Sequence, residues 1–167
     1  MVRISHISFA PVLFLFSFSA TAQPATYQDF TFSIPQGAAL VDGEPSYFSD
    51  IQMQATVEGD FAVVAAEKNN LVTVQSVVAN VAESLPVQVS LTVSGEKSVP
   101  CVELLEPAIF ISDAVFTIVL AESTLGPAES CIAVVDPFET TIALDTDGLD
   151  SGSYTVRVNG VETSFEL

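Results

Sequence analysis

Apolar and polar residues alternate with a period of two through most of this chain, and that period predicts strands rather than helices. In YQDFTFSIP, Phe30, Phe32 and Ile34 share one face until Pro35 stops the run. IQMQATV sets Ile51, Met53, Ala55 and Val57 inward, with Gln52, Gln54 and Thr56 outward. Between these two runs, QGAALVDGEPSYFSD holds Gly37, Gly43 and Pro45 and reads as the longest loop, Gln36 to Asp50. Its aromatics, Tyr47 and Phe48, either anchor a partner or fold back over the rim of the core, and the second is the commoner use of loop aromatics. EGD turns the chain into FAVVAAE, and EKNN turns it again into LVTVQSVVANVA, as in an antiparallel meander.

The clearest strand is VQVSLTV, where Val87, Val89, Leu91 and Val93 alternate with Gln88, Ser90 and Thr92 just after Pro86. SGEKSVPC reads as a turn, and AIFIS and AVFTIVLA as one or two further strands. STLGPAES is a loop leading to Cys131, and CIAVVDPFETTIAL reads as two short strands broken at Asp136 and Pro137. SYTVRV and VETSFEL flank Asn159 and Gly160, the dipeptide of a type I′ hairpin, whose two central residues need positive φ. No amphipathic helix of useful length emerges beyond the first residues. The pattern predicts an all-β protein: an antiparallel immunoglobulin-like sandwich over residues 71–167, with additional strands from an N-terminal β segment over residues 23–70.

The start of the chain changes the setting. MVRISHISFAPVLFLFSFSATAQPA combines Arg3, an apolar run from Ile7 to Phe18, and Ala20 and Ala22 in an A-x-A arrangement. These are the parts of a secretory signal peptide over residues 1–22, cleaved after Ala22. The run carries a proline and several serines and falls short of the roughly 20 residues that cross a bilayer. The mature chain is therefore expected in the periplasm or outside the cell, with no membrane span. What is left of 167 residues suffices for one domain with a hydrophobic core.

Charge then narrows the partners. The chain carries 21 acidic residues and a formal net charge of -17, and beyond Ala22 only Lys68, Lys97 and Arg157 are basic. Nucleic acid is excluded as a partner, because phosphate binding needs clustered Lys and Arg. The single histidine, His6, leaves with the signal peptide. That removes Ser-His and Cys-His catalysis, histidine metal ligands and an imidazole base near neutral pH. Cys101 and Cys131, the two cysteines of an exported chain, read as one structural disulfide.

Chemistry based on carboxylates remains open. Glu103 with Glu106, and Asp136 with Glu139, are acid pairs of the sort a hydrolase could use. In so acidic a chain, solvated acids at strand ends are the simpler reading. DTDGLDSG places Asp145, Asp147 and Asp150 as candidate ligands for calcium, the one cofactor in view. An EF-hand loop wants acids or amides at positions 1, 3 and 5 and glycine at 6. Here Leu149 takes the fifth place, so a connecting loop ranks first and a cation site second. Tyr27, Tyr47 and Tyr154 are the only rings with a polar tip, too few for a carbohydrate platform, and Tyr154 falls on the apparent core face.

The motifs ESLPVQVSLTVSGEKSVPC, FTIVLAES with Cys131 shortly after, DPFETTIAL, and GLDSGSYTVRVNGVETSFEL together resemble an uncharacterised bacterial family of secreted proteins and lipoproteins. The resemblance spans about residues 71 to 167 and rests on Pro86 to Val89, Cys101, Cys131, Pro137 to Glu139, the Gly152 to Gly160 hairpin and Phe165 to Leu167. It implies a disulfide-bridged β-sandwich and brings no catalytic residues with it. Gln23 stands where a lipoprotein of that family has its lipidated cysteine. The expectation is a secreted, acidic, non-enzymatic module with an extracellular or envelope interaction or structural role, its partner an unknown protein or glycan. The competing readings are a calcium-dependent adhesive or carbohydrate-binding module and a small carboxylate hydrolase.

Overall fold

A computed structural model describes residues 24–41, 44–84 and 86–167. The expected signal peptide lies outside the described residues. Eleven strands form three sheets, and among the described residues there is no helix. The first sheet comprises β1 (Thr26–Gln28), β2 (Thr31–Val41), β3 (Glu44–Ala55) and β4 (Phe61–Asn69), in that order. The second holds β5 (Thr73–Ala82), β6 (Gln88–Lys97) and β9 (Asp136–Leu144), with β6 in the middle. The third runs β11 (Val161–Glu166), β10 (Ser153–Val158), β8 (Val115–Val119), β7 (Ala108–Ser112).

The second and third sheets face each other as a seven-stranded sandwich, three strands against four, and the period-two pattern supplies its core. Val89, Leu91 and Val93 from β6, Ile142 and Leu144 from β9, Phe116 and Ile118 from β8, and Tyr154, Val156 and Val158 from β10 are all buried in one cluster. Phe116, Tyr154 and Phe165 stack at its end with centroids 5.4–6.0 Å apart, a spacing favourable for aromatic rings. The all-β sandwich with extra N-terminal strands is thus the observed fold. One pairing was not in the pattern: β8 runs parallel to β10. The β7–β8 hairpin, turning at Asp113 with φ 54°, leaves β7 on the sheet edge and delivers β8 inward beside β10.

Several boundaries differ from the sequence reading, each for a local reason. Gln36 to Asp50 is not a loop: β2 and β3 stay in register from Gln36↔Ser49 to Val41↔Glu44. Pro35 is tolerated because β1 pairs only with Thr31 to Ser33, leaving that part of β2 as an edge. Phe30 and Val57 sit in turns, Phe30 with φ 61°, and do not extend their strands' apolar faces. EKNN makes no hairpin turn, since β4 continues to Asn69 and the chain then crosses to another sheet. SGEK belongs to β6, where Gly95 is required: a Cβ there would lie 2.1 Å from the Thr73 carbonyl oxygen. Asp136 and Pro137 do not break a strand but begin β9, an edge strand on which proline is accommodated.

Cys101 and Cys131 form the expected disulfide, with Cα atoms 6.0 Å apart. It joins the turn after β6 to the loop before β9, close to the Lys97–Asp136 ion pair at 2.9 Å between paired residues of those strands. Closing a 30-residue separation contributes roughly 3 to 4 kcal/mol in the chain-entropy account.

Asn159 and Gly160 form the predicted hairpin turn, with φ of 44° and 92°. The Asn159 side chain does more than turn the chain. Its Oδ1 accepts from the Leu120 N–H at 2.9 Å, and its Nδ2 donates to the carbonyls of Leu120 and Val72 at 2.7 and 2.9 Å. It thereby satisfies backbone groups of two other segments where both leave their sheets. Asn159→Gly keeps the positive φ but removes these bonds and strands the Leu120 N–H; chemical denaturation should show a loss of about 2 to 3 kcal/mol with an unchanged m-value.

Candidate binding surface

The first sheet differs from the other two because it has one layer. Residues paired directly across strands share a face, so the register sorts its side chains. Tyr27↔Phe32, Phe32↔Met53 and Met53↔Val63 make one row across all four strands. Ile34↔Ile51 and Ala55↔Phe61 add flanking pairs on the same side, and the Phe32 and Phe61 rings lie 6.4 Å apart. Gln28, Thr31, Gln54 and Ala62 form the matching row on the opposite side, with Thr26, Ser33 and Gln52 beside it. Gln54 Nε2 donates to Thr31 Oγ1 at 3.3 Å on that polar side.

The sheet is therefore amphipathic, and its apolar side is open. None of the residues of β1, of β2 up to Pro35, of β3 from Asp50 to Ala55, or of β4 from Phe61 to Lys68 is buried. Tyr27, Phe61 and Val63 remain 61%, 53% and 60% exposed. No charged residue lies in the apolar rows, although the chain carries 21 acids. The alternation that reads as inward-facing strands in Phe32, Ile34, Ile51 and Met53 is real, but these side chains are only half-buried, and among the described residues no second layer covers them. β4 also presents a free edge, with irregular register against β3 between Ser49 and Met53. Bulges of this kind twist an edge away from unwanted pairing.

The ladder is interrupted near the middle of the sheet: Pro35 and Asp50 fall between the paired levels Ile34↔Ile51 and Gln36↔Ser49, Asp50 has a φ of 51°, and the β3–β4 register shifts at the same level. Aspartate tolerates the left-handed region better than most residues. Beyond this interruption, Tyr47 on β3 is 2% exposed and packs with Val119 and Ala121 of the sandwich, flanked by Ala38, Leu71, Leu105 and Ala108. Of the two roles open to Tyr47, it takes the one in which the ring closes over the core. Its hydroxyl lies 2.7 Å from the Glu106 carbonyl and 2.8 Å from the Gln36 side-chain oxygen. One phenolic proton serves one acceptor, so both contacts are good when the Gln36 amide turns its nitrogen inward and the hydroxyl donates to Glu106. Further along, the Thr124 hydroxyl donates to Glu67 of β4, and Asn70 to Val72 pair with Leu120 to Glu122. The base of the sheet is thus tied to the sandwich while its far half projects.

The other sequence candidates fall elsewhere. Asp145, Asp147 and Asp150 lie in the connection between β9 and β10, and the Asp145 carboxylate accepts the Asp147 N–H at 3.1 Å, the side-chain turn expected of aspartate. Asp145 and Asp147 also rim a groove of about 600 Å³ at the ends of β5, β6 and β9. Among the described residues no group of three or more His, Cys, Asp or Glu is arranged to hold a metal ion. Asp136 is engaged with Lys97, and Glu103, Glu106 and Glu139 are exposed. Tyr154 donates to the Asp150 carbonyl at 2.7 Å, closing the same loop from the core side, a bond of the same kind as the tyrosine corner of immunoglobulin-like sandwiches. Glu122, which no sequence signal marks, is 2% exposed and accepts the Ser98 N–H at 2.8 Å, holding the turn after β6.

These features define an all-β protein in which an open amphipathic sheet is carried on a disulfide-stapled sandwich. Residues 91–167, most of that sandwich, match the family model described as the ORF11 beta-sandwich domain. The match ends short of the projecting sheet. Comparisons with curated proteins and with solved structures give no match. Among the described residues no helix is long and apolar enough to cross a membrane.

Burial, and secondarily the Glu106 carboxylate, raise the pKa of Tyr47 above the ordinary tyrosine value. A phenol held neutral more strongly in the folded state contributes stability that is full below the unfolded-state pKa of about 10 and is lost as pH rises through the folded value. Denaturation at pH 7 and above pH 10 should therefore show an alkaline loss that is smaller in Tyr47→Phe. The loop after β9 gives a separate test. Tyr154→Phe should cost about 1 kcal/mol by removing the bond to Asp150. Calcium or a chelator should leave the thermal midpoint of native protein and variant unchanged, whereas a rise with calcium would place a cation on the folded state.

Proposed function

We propose that the protein is a secreted, non-enzymatic interaction module, and that the projecting first sheet is its working surface. One observation carries this reading: four paired strands present an apolar side without charge to solvent, beside a sandwich whose inner faces are packed into one core of their own. A sheet with one apolar face is stable when another layer covers it, and burying such a face is a dominant source of association free energy. The sandwich then acts as a rigid carrier, and Tyr47 as the joint that sets the sheet's position. Export is supported by the leader-like first 22 residues and by the disulfide, which persists in oxidising compartments. The lack of histidine beyond His6 supports a non-catalytic role.

The partner is of extracellular or envelope origin in this reading. Immobilised native chain, exposed to cell-envelope material and spent medium, should retain a component that the Phe61→Asp, Val63→Asp double variant does not. Both substituted side chains are exposed, so the variant should melt like the native chain. Equal retention by the two, or none by either, would remove the first sheet as the working surface.

A further inference from the structure

We propose that β7 is a docking edge for an extended segment of another protein, one whose alternate residues are β-branched and apolar and whose flanks are lysine or arginine. This surface shares no residue with the projecting first sheet and does not rest on the reading given to that sheet. Backbone direction defines the edge. The carbonyls of Ala114 and Ile118 accept the N–H groups of Thr155 and Asn159, at 2.9 and 3.2 Å. Successive residues of a strand turn these groups to opposite sides, so Val115, Thr117 and Val119 of β8 turn theirs to β7. Ser112, Phe110 and Ala108 are their partners. The N–H and C=O groups of Ile109 and Ile111 therefore point out along the free edge of the sheet. The side chains of the same two residues are also uncovered. They pair with Phe116 and Ile118 and so share the core side, yet Ile109 and Ile111 remain 38% and 48% exposed. The cause is a difference of one strand. On one side of the sandwich β5 lies against β11; on the other, the three-stranded sheet stops at β9 while the four-stranded sheet runs on to β7.

Among the described residues, the other edges carry features that discourage pairing. β1 is three residues long, β2 has Pro35 just past the reach of β1, β4 is irregular in register, β9 begins Asp136-Pro137, and β11 carries Glu162 and Glu166. β7, Ala-Ile-Phe-Ile-Ser, has no charge, no proline and no bulge. A row of free backbone groups is matched by another extended backbone, with side-chain pockets setting the choice of segment. Charge decides whose segment it is. Glu106 and Asp113 are exposed at the two ends of β7. A second copy pairing antiparallel through its own β7 would set Asp113 beside the other copy's Glu106, acid against acid. A segment with a cation at each end answers both carboxylates instead. Its residues opposite Ile109 and Ile111 fall on the core side and cover them, and the residue between falls beside Phe110 on the outer side.

The probe is an end-capped peptide, Lys-Thr-Val-Thr-Val-Thr-Lys, titrated against the exported chain by fluorescence anisotropy. With its valines opposite Ile109 and Ile111 in antiparallel pairing, its lysines reach Asp113 and the neighbour of Glu106. Binding should be measurable below about 1 mM and should weaken at high salt. Deuterium exchange at the Ile109 and Ile111 amides should slow, with no change at Val63. Methylating the two valine nitrogens removes the peptide's backbone donors and should weaken binding about tenfold or more. Ile111→Lys, at an exposed edge position, should do the same while melting like the native chain; should that variant fail to fold, the methylated peptide decides alone. The same peptide flanked by glutamate should not bind. Absence of binding up to that concentration overturns the proposal. So does equal binding by the methylated or the glutamate-flanked peptide, or protection that falls on Val63 in place of Ile109 and Ile111. A dimer of the native chain that is lost in Ile111→Lys, with no peptide bound, would make a second copy the occupant and overturn it as well. Each of these failures leaves the first sheet's retention of an envelope component to be decided by its own variant, because the two surfaces share no residue.

Discussion

The burial of Tyr47 is the constraint through which the two parts of this molecule act as one. Its ring is enclosed by Ala38 on the neighbouring strand and by Val119, Ala121, Leu105 and Ala108 of the sandwich side. Its hydroxyl reaches the Glu106 backbone, 59 residues away in sequence. A tyrosine suits this place because it buries a large apolar body and still needs a polar partner for its tip. Leucine would fill the volume but leave the Glu106 carbonyl without that donor. The irregular level at Pro35 and Asp50 separates two halves of the sheet: on one side of it Tyr47 is buried against the sandwich, and on the other Val63 lies exposed.

The sandwich is organised by side chains that satisfy backbone groups where strands end. Asn159 serves Leu120 and Val72, Glu122 serves Ser98, and Tyr154 serves Asp150. Each acts where a chain leaves a sheet and its amides or carbonyls lose their ladder partners. The disulfide and the Lys97–Asp136 pair close the same end of β6 and β9.

Much of this was legible from alternation alone. VQVSLTV, SYTVRV and VETSFEL are strands because the apolar set at Val89, Leu91, Val93, Val156, Val158 and Phe165 has one side to fill, and Asn159-Gly160 fixes the hairpin of the last two. The period also revealed the apolar faces of Phe32, Ile34, Ile51 and Met53. What it could not reveal is whether anything lies against those faces, since alternation reports that a side is apolar and not what covers it. The stretch from Gln36 to Asp50 was opaque for another reason. Its glycines and prolines are turn formers in general, yet here Gly37 and Pro45 sit within paired strands because the ladder on one side compensates for the missing side chain or amide. Glu122 and the second role of Asn159 were illegible because their partners, Ser98, Leu120 and Val72, come together only through the three-dimensional path of the chain. The parallel pairing of β8 with β10 is likewise a property of strand order, which a local pattern does not encode.

The division of charge ties these observations to function. A chain with 21 acids and three bases beyond Ala22 repels its own kind at most approaches. Yet the eight side chains from Tyr27 to Val63 that form the apolar rows contain no acid, although Asp29, Asp50, Glu58 and Asp60 lie in the turns and bends beside them. An apolar centre within a polar rim is the anatomy of protein interfaces in general, and this division of charge supports the proposed reading of the first sheet as a working surface. In that reading the acids at the rim select the direction of approach, and the apolar rows supply the attraction.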